Sequence, residues 1–371
     1  MADLFNYKCP ACGGAMVFDA EQQKMKCPYC DTLVDMSQFQ EQADELAASA
    51  ESPAEPENAV ETEGDWSSSG SEWSEEEKAG LKVYGCDSCG GEIIADAQTG
   101  ATTCPYCGSN VVMKGAFQGK LKPDKVIPFK ISKKQAIEAY KTMTKGRWLL
   151  PSAFTSNSRI EKMQGVYIPF WIFNATAHVQ LAYTGTRVHT HITGDTEHVT
   201  TEYFQVEREG DVSFRDVPAD CSRKVDNVMM ESIEPYDYSE AVRFQPAYLA
   251  GFLADRYDED VEESRNRAEA RIERSAEIPF RRTITEPYST LTKDFSSVRI
   301  HDATYDYALL PVWLMNTSWE GKTYLYAING QTGKTVGDFP EDKKAFWKYV
   351  LTRGGIVAAV MYGLSFLFSA L

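Results

Sequence analysis

Hydrophobic residues in the second half of the chain recur at the spacings of strands and of one helix. Residues 166–173 form a short apolar run, whereas 178–183 and 197–206 alternate between apolar and polar side chains. Alternation of this kind predicts half-buried strands. The strands predicted from these patterns are 166–173, 178–183, 197–206, 278–285 and 297–301, followed by a hairpin of 322–328 and 335–337 around Asn329-Gly330.

Two helices are predicted among these strands. Ser132 and Gln135 form a capping box, and Gly146 is a suitable stop for a basic amphipathic helix. The apolar positions of this helix are Ala136, Ile137, Tyr140 and Met143. A second, charged helix is predicted over 258–276, where we expect Glu263 to pair with Arg267.

A weak internal repeat lies within this region. Residues 167–174 match 309–316 at Pro, Trp and Asn, and a hairpin pattern follows each copy. We interpret 113–345 as one mainly β α+β domain. The two copies of the weak repeat indicate either that this domain consists of two related halves or that two buried strands are similar by chance.

A stronger repeat lies nearer the N-terminus. Residues 7–32 align without gaps to 84–109, with the same residue at 11 of 26 positions. Such self-similarity predicts two copies of one small module. The predicted modules are 5–37 and 81–112.

Each module carries two C-x-x-C pairs separated by 14 residues. This spacing brings four thiolates to one point, which is typical of a tetrahedral zinc site. The predicted ligands of two Zn²⁺ ions are Cys9, Cys12, Cys27 and Cys30 in the first module and Cys86, Cys89, Cys104 and Cys107 in the second. The alternatives are rubredoxin-like iron and thioredoxin-like redox chemistry. A site closed by four sulfurs is structural, so these small modules should depend on metal to fold.

The segment between the modules is acidic. Residues 38–80 hold 13 acidic residues and one lysine, in a chain of net charge −16 and 371 residues. Low hydrophobicity with a block of charge predicts a disordered linker. The alternative is an acidic segment in which Trp66 and Trp73 anchor a partner. The 43% of hydrophobic residues in the whole chain excludes wholesale disorder.

The C-terminal segment 346–371 predicts a membrane anchor. Residues 354–371 contain no charge, and Lys343, Lys344, Lys348 and Arg353 precede them beside three aromatic residues. Cations and aromatics flanking an apolar helix are typical of the cytoplasmic membrane boundary. We therefore expect a single-pass protein of the cell membrane with its bulk in the cytoplasm. A buried core helix is the alternative.

The distribution of charge along the chain indicates which kinds of partner each segment can bind. Residues 84–109 contain three acids and no lysine or arginine, which disfavours nucleic-acid binding by the second module and favours protein contact. Residues 110–149 hold ten cations and two acids. This basic stretch can bind lipid, nucleic acid or the acidic linker. The remaining alternative is that it forms a solvent-exposed helix face without a partner.

Three further patterns favour ordinary structural roles. Four of the five histidines lie within 178–198, and His189 and His191 share a strand face; metal binding or catalysis is the alternative to partial exposure. Cys221 has no nucleophile signature around it. Gly330–Thr335 resembles part of a phosphate loop, but Ile328 stands where the full motif requires glycine.

The two four-cysteine modules, together with the segments 121–129, 165–171 and 326–334, resemble a family of bacterial, Firmicutes-type tandem zinc-ribbon membrane proteins. Members are often labelled TFIIB-type zinc ribbon or replication-restart helicase PriA-like. The resemblance covers most of the chain and implies that the eight cysteines bind zinc. It also implies partners among phage-shock and SPFH/flotillin-type membrane-stress proteins, and it supplies no catalytic residue or small-molecule substrate.

The sequence thus predicts a non-enzymatic, membrane-anchored zinc-ribbon adaptor that docks cytoplasmic or membrane proteins. A nucleic-acid-binding factor of replication or transcription is the first alternative, although no Walker A motif supports the helicase label. An enzyme that uses the domain around the His178–His198 cluster is the second.

Overall fold

Strands provide the framework of this computed structural model, which describes residues 7–38, 67–68, 70–74, 77–78, 80–96, 100, 103–117, 119 and 121–369. The strands are β1 Val17–Asp19, β2 Lys24–Lys26, β3 Leu33–Val34, β4 Ser67–Ser68, β5 Ser71–Glu72, β6 Leu81–Gly85, β7 Glu92–Asp96, β8 Val112–Ala116, β9 Leu121–Lys122, β10 Lys125–Val126, β11 Gln164–Thr193, β12 Thr196–Asp220, β13 Val242–Arg243, β14 Leu253–Asp255, β15 Thr290–Trp319, β16 Lys322–Asn329 and β17 Thr335–Gly337. The α-helices are α1 Lys133–Thr144, α2 Asn157–Ile160, α3 Asn227–Ser232, α4 Val261–Arg282 and α5 Lys343–Ser369. The predicted mixed α+β class is confirmed.

Two very long strands form the centre of the sheet. β11 and β15 pair antiparallel from Gln164↔Leu314 to Thr186↔Thr290, and β12 pairs with the other edge of β11. Along 175–185 every second residue of β11 is buried, and α4 packs on the β11–β12 ribbon. The alternation of apolar and polar side chains therefore sets which face of the ribbon the helix covers.

The weak repeat occupies the middle of this sheet. Its two copies lie side by side on β11 and β15, with Tyr167 opposite Pro311 and Pro169 opposite Leu309. Trp171 is 3% exposed and joins the hydrophobic core. β11 turns back into β12, and β15 turns back into β16, so each copy leads into a hairpin as predicted.

The predicted hairpin and basic helix are confirmed. β16 and β17 pair through Ile328↔Thr335. Helix α1 begins after Ser132, whose hydroxyl accepts from the Gln135 N–H while the Gln135 side chain accepts from the Ser132 N–H. The helix buries Ala136 and Tyr140 against the sheet.

The predicted strand at 278–285 is wrong, because helix α4 continues to Arg282. Its buried stripe of Ala268, Ile272 and Ala276 extends to Phe280, which packs against the core. A helical contact surface of this length outweighs the β-forming tendency of Ile278 and Phe280, and residues 283–285 follow the helix without forming a strand.

The second four-cysteine module is continuous with the large sheet. β7 pairs with β14 through Ala95↔Leu253, and β6 pairs with both β7 and β8. The described strands form a twelve-stranded sheet that includes this module, whereas β1, β2 and β3 form a separate three-stranded sheet in the first module.

The end of the predicted linker 38–80 folds onto the domain. Trp66 and the rest of 39–66 lie outside the described residues. Trp73 is 6% exposed, its Nε1 donates to the Leu121 oxygen at 2.8 Å, and its ring contacts Phe117 and Phe244 edge to face. Disorder is therefore the wrong expectation for Trp73, which anchors the acidic segment to its own chain.

We expect Trp73→Ala to destabilise the protein by about 3–5 kcal/mol, because it removes a large buried ring and leaves a cavity. Urea unfolding measures this loss. Trp347→Ala is the matched control: Trp347 is 60% exposed, so its removal should change stability by only about 0.5 kcal/mol. Equal urea midpoints for the two variants would show that Trp73 does not attach the acidic segment to the domain.

Helix α5 leaves the domain with its side chains exposed from Phe346 to Met361. Over the described residues, no helix is both long and apolar enough for a membrane span. The second half of the predicted anchor 346–371 is outside that search, because the side chains of 362–369 and all of 370–371 are not described.

Candidate metal centres

Four tight turns build the two Cys clusters, and they share one hydrogen-bond pattern. In the first turn the Cys9 N–H donates to the Gly14 oxygen at 2.7 Å, and the Gly13 N–H donates to the Cys9 oxygen at 2.8 Å. The same pair of bonds recurs in the turns that begin at Cys27, Cys86 and Cys104. Each turn therefore holds the two sulfurs of one C-x-x-C pair on the same side.

The residue after the second cysteine of each pair has a positive φ. It is Gly13 at +73°, Asp31 at +57°, Gly90 at +72° and Gly108 at +76°. Glycine occupies three of the four positions because a left-handed backbone costs glycine little. Aspartate, present at position 31, is one of the few other residues enriched in this conformation.

The eight predicted cysteines converge as two groups of four. Within each group the Sγ atoms lie within 4.8 Å of one another. Neighbouring sulfurs are 3.4 Å apart for Cys9–Cys30 and 3.5 Å for Cys86–Cys107. These separations exceed a disulfide bond of about 2.05 Å and approach the ~3.8 Å edge of a tetrahedron with Zn–S of about 2.3 Å.

The turns stabilise the thiolate form at only some of the cysteines. Although the Gly14 N–H acts to lower it, the pKa of Cys12 is raised to about 12 by Cys30 and Cys27. Burial raises the pKa of Cys89 and Cys104. Although partial burial acts in the opposite direction, the backbone N–H groups of Cys12 and Ala11 lower the pKa of Cys9 to about 6. In the second cluster, burial again opposes the shift, and Ser109 lowers the pKa of Cys107 to about 6. A donor set of four sulfurs fits Zn²⁺, and the arrangement also accommodates iron.

The second cluster is fixed to the central strands of the sheet. The Asn316 side chain donates to the Pro105 oxygen at 2.9 Å and to the Cys104 oxygen at 3.3 Å. Gln164, at the start of β11, donates to the Thr103 oxygen at 3.3 Å. Cys86 and Cys104 are 1% and 0% exposed, so this metal site lies at the junction of module and domain.

The first cluster docks through its sheet rather than through its cysteines. Phe18 on β1 packs edge to face on Tyr248, and its N–H donates to the Ala250 oxygen at 3.0 Å. Gln23 donates to the Phe129 oxygen at 2.7 Å. Cys12 and Cys30 remain exposed, so one side of this cluster faces solvent.

The histidines do not assemble a metal centre in the described part of the chain, where the Cys clusters are the only groups that can hold an ion. His189, His191 and His198 lie exposed at the far end of the β11–β12 hairpin, with His191 opposite His198. His178 lies apart from them, between Asp211 at 2.8 Å and Glu209 at 3.2 Å.

The pKa of His178 is expected to lie above its usual value near 6.5. The hydrogen bond to Asp211 is the largest cause, slight burial opposes it, and Glu209 adds to it. Because the pKa of His178 is higher in the folded state than in the unfolded state, the protonated imidazole stabilises the fold. This stabilisation is complete below pH 6.5 and is lost as the pH rises through the pKa of His178 in the folded protein. NMR titration of the imidazole measures the shift, and Asp211→Asn should move the pKa back down. An unchanged pKa in Asp211→Asn would rule out this pair.

Sequence reasoning missed a group of charged side chains at the end of strand β12. Arg267 contacts Asp220 at 3.0 Å and Glu259 at 2.7 Å, whereas the predicted partner Glu263 pairs with Arg223 instead. Helical spacing favoured Glu263, but Arg267 faces the sheet, where Asp220 ends strand β12. No signal along the sequence links residues 47 positions apart.

A second buried group lies next to this one. Asp255 accepts from Ser222 at 2.5 Å and from Lys224 at 3.1 Å, and it is 1% exposed. Cys221 lies in the same acidic region, and burial raises the pKa of its thiol well above the usual value. A buried thiol that stays protonated is a poor nucleophile, which supports the structural role predicted for Cys221.

The fold and the two clusters define an α+β protein with two four-cysteine sites, each of which can hold a metal ion. No protein-family model matches the chain, and no solved structure matches it. The chain is 33% identical to the uncharacterized protein YdjG of Bacillus subtilis (strain 168) over 332 residues, which cover 76% of this chain and 97% of that protein. It belongs to the same family as YdjG.

Proposed function

We propose that this protein is a non-enzymatic adaptor that associates with the cell membrane through helix α5 and presents two zinc centres to protein partners in the cytoplasm. The observation that carries the proposal is the exposure of α5, whose apolar residues Leu351, Ile356, Val357, Val360 and Met361 are each 56% or more exposed. An apolar surface of this size is typical of a protein or membrane contact.

Two features support a cytoplasmic orientation. Lys343, Lys344, Lys348 and Arg353 precede or begin the apolar part of α5. Phe346, Trp347 and Tyr349 lie among them and are exposed. Cations with interfacial aromatics mark the cytoplasmic end of a membrane helix.

Zinc has a structural role in this proposal. Four sulfurs complete a tetrahedral shell, so neither site retains a position for catalytic water. When bound, the ion would join the two turns of each module. The cysteines themselves hold the thiolate charge, and hydrogen bonds within the turns stabilise that charge at Cys9 and Cys107.

Protein docking is supported by apolar residues on the modules. Tyr29 and Leu33 of the first module are 77% and 43% exposed, and Val112 and Met113 of the second are each 58% exposed. The acidic character of 84–109 disfavours nucleic acid there. The resemblance to tandem zinc-ribbon membrane proteins favours partners of the phage-shock or SPFH/flotillin type.

Membrane association is tested with Val357→Glu plus Met361→Glu in the full chain. Each charge within a bilayer helix costs about 3 kcal/mol, so this double variant should move to the soluble fraction. Val228→Glu plus Val242→Glu is the matched control, because those valines are also exposed but lie on the α+β domain. Membrane recovery of the α5 variant at the wild-type level would contradict the proposal.

A nucleic-acid-binding factor is the second candidate, and the ten cations of 110–149 favour it. Binding of DNA or RNA by the full chain should then fall steeply with salt. Weak binding that does not depend on salt would remove this candidate.

A further inference from the structure

The end of helix α1 and the start of helix α5 form one surface, although about 200 residues separate them in sequence. The Trp148 ring lies 4.3 Å from the Tyr349 ring. The Asp342 N–H donates to the Leu149 oxygen at 2.8 Å. The base of α5 is therefore attached to the segment that follows α1.

Two more contacts fix the same junction. Asp342 caps α5 by accepting from the Lys344 N–H at 2.8 Å and from the Ala345 N–H at 3.1 Å. The Arg147 guanidinium lies 4.7 Å above the Phe339 ring. The direction in which α5 leaves the domain is thus set by packed rings and by a capped first turn.

Exposed cations and tryptophans surround this junction. We call them the collar, which consists of Lys141, Lys145, Arg147, Trp148, Trp347 and Lys348. The tryptophans are 55% and 60% exposed, and all four cations are exposed. Asp342, which caps α5, is an acidic residue at the same junction, and Glu138 and Glu341 are the next acidic residues nearest to the collar in sequence. The collar is therefore a positively charged, aromatic surface at the point where α5 begins.

We infer that the collar binds the headgroups of anionic phospholipids and so holds the end of α1 against the membrane surface. Cations near an anionic leaflet are attracted to it, and tryptophan favours the headgroup region. The exposed apolar residues of α5 continue directly from the collar, and a bilayer accommodates both. Nucleic acid or the chain's own acidic segment would pair with the cations of the collar but would leave the exposed apolar residues of α5 in water.

This inference rests on the proposed membrane association and adds a lipid preference and an orientation to it. Helix α5 itself carries four cations, so it already favours anionic bilayers. The collar strengthens this dependence on anionic lipid through Lys141, Lys145 and Arg147, which lie at the end of α1 or just after it and far from the anchor in sequence.

Flotation of the full-length protein with vesicles tests the inference. The vesicles are phosphatidylcholine alone or phosphatidylcholine with about 30% phosphatidylglycerol. Each cation near an anionic surface contributes about 1 kcal/mol, so Lys141→Glu, Lys145→Glu and Arg147→Glu together should weaken binding to the phosphatidylglycerol vesicles by at least about 100-fold. Binding to phosphatidylcholine alone should not change.

The matched control reverses three exposed cations elsewhere, with Arg274→Glu, Arg282→Glu and Lys322→Glu. This control should bind both kinds of vesicle as the wild type does. Wild-type binding that is equal on both kinds of vesicle would overturn the collar but leave membrane association intact. Failure of the wild type to float with either kind would contradict both. If the collar variant loses binding to DNA rather than to vesicles, the collar is a nucleic-acid surface and the lipid inference is wrong.

Discussion

Replacing Cys86 and Cys104 with serine is expected to abolish one metal site and to unfold the large sheet from its edge. Both cysteines are buried, and β7 of the same module pairs with β14 of the domain. A structural Zn²⁺ site contributes an apparent ~10–16 kcal/mol, comparable to the whole stability of a domain. Thermal melting followed by circular dichroism should show a loss of the cooperative transition, and metal analysis should show one bound zinc fewer.

Two controls make this result specific. Cys9→Ser plus Cys27→Ser should also remove one zinc but leave most of the sheet folded, because the first module forms a separate three-stranded sheet. Cys221→Ser replaces a buried cysteine that belongs to neither cluster, so both metals should remain. A full wild-type transition in Cys86→Ser plus Cys104→Ser would contradict the structural role assigned to the second centre.

Arg267→Met is expected to destabilise the protein by about 3–5 kcal/mol, because it leaves the buried carboxylate of Asp220 without its cation. Asp220 is 1% exposed, and its Oδ2 atom has no hydrogen-bond partner in the described part of the chain. Urea unfolding at pH 7 measures this effect. Arg265→Met is the matched control on the same helix, since Arg265 pairs with Glu262 and Glu269 at its outer face and should cost about 0.5 kcal/mol.

The effect of Arg267→Met should depend on pH. Burial raises the pKa of Asp220 to about 6, even though Arg267 acts to lower it. Because the folded pKa lies above the ordinary value near 3.9, this group favours folding at low pH and opposes it as pH rises through about 6. The variant should therefore lose less stability at pH 5 than at pH 7. A loss that is equal at both pH values would show that Asp220 is not the group left unpaired.

Local patterns determined what the sequence could predict. The four cysteine turns depend on residues within six positions of each other, and the capping box at Ser132 and Gln135 spans four, so both could be identified. The hairpin around Asn329 follows from turn chemistry of similar range.

Contacts between distant segments could not be found in this way. Trp73 looks like a linker residue until the pocket formed by Phe117 and Phe244 is known. Arg267 has acidic neighbours at helical spacing, and only the fold shows that Asp220 is its buried partner. The attachment of α5 to Trp148 likewise depends on how the sheet brings the two ends of the domain together.

The most direct test of the two four-cysteine centres is the metal content of the full-length protein, purified without added metal and measured by inductively coupled plasma mass spectrometry. Two closed sites of four sulfurs predict two zinc ions per chain. Both ions should be lost in the variant that combines Cys9→Ser, Cys27→Ser, Cys86→Ser and Cys104→Ser. Iron in place of zinc, or less than one metal ion per folded chain, would contradict the account.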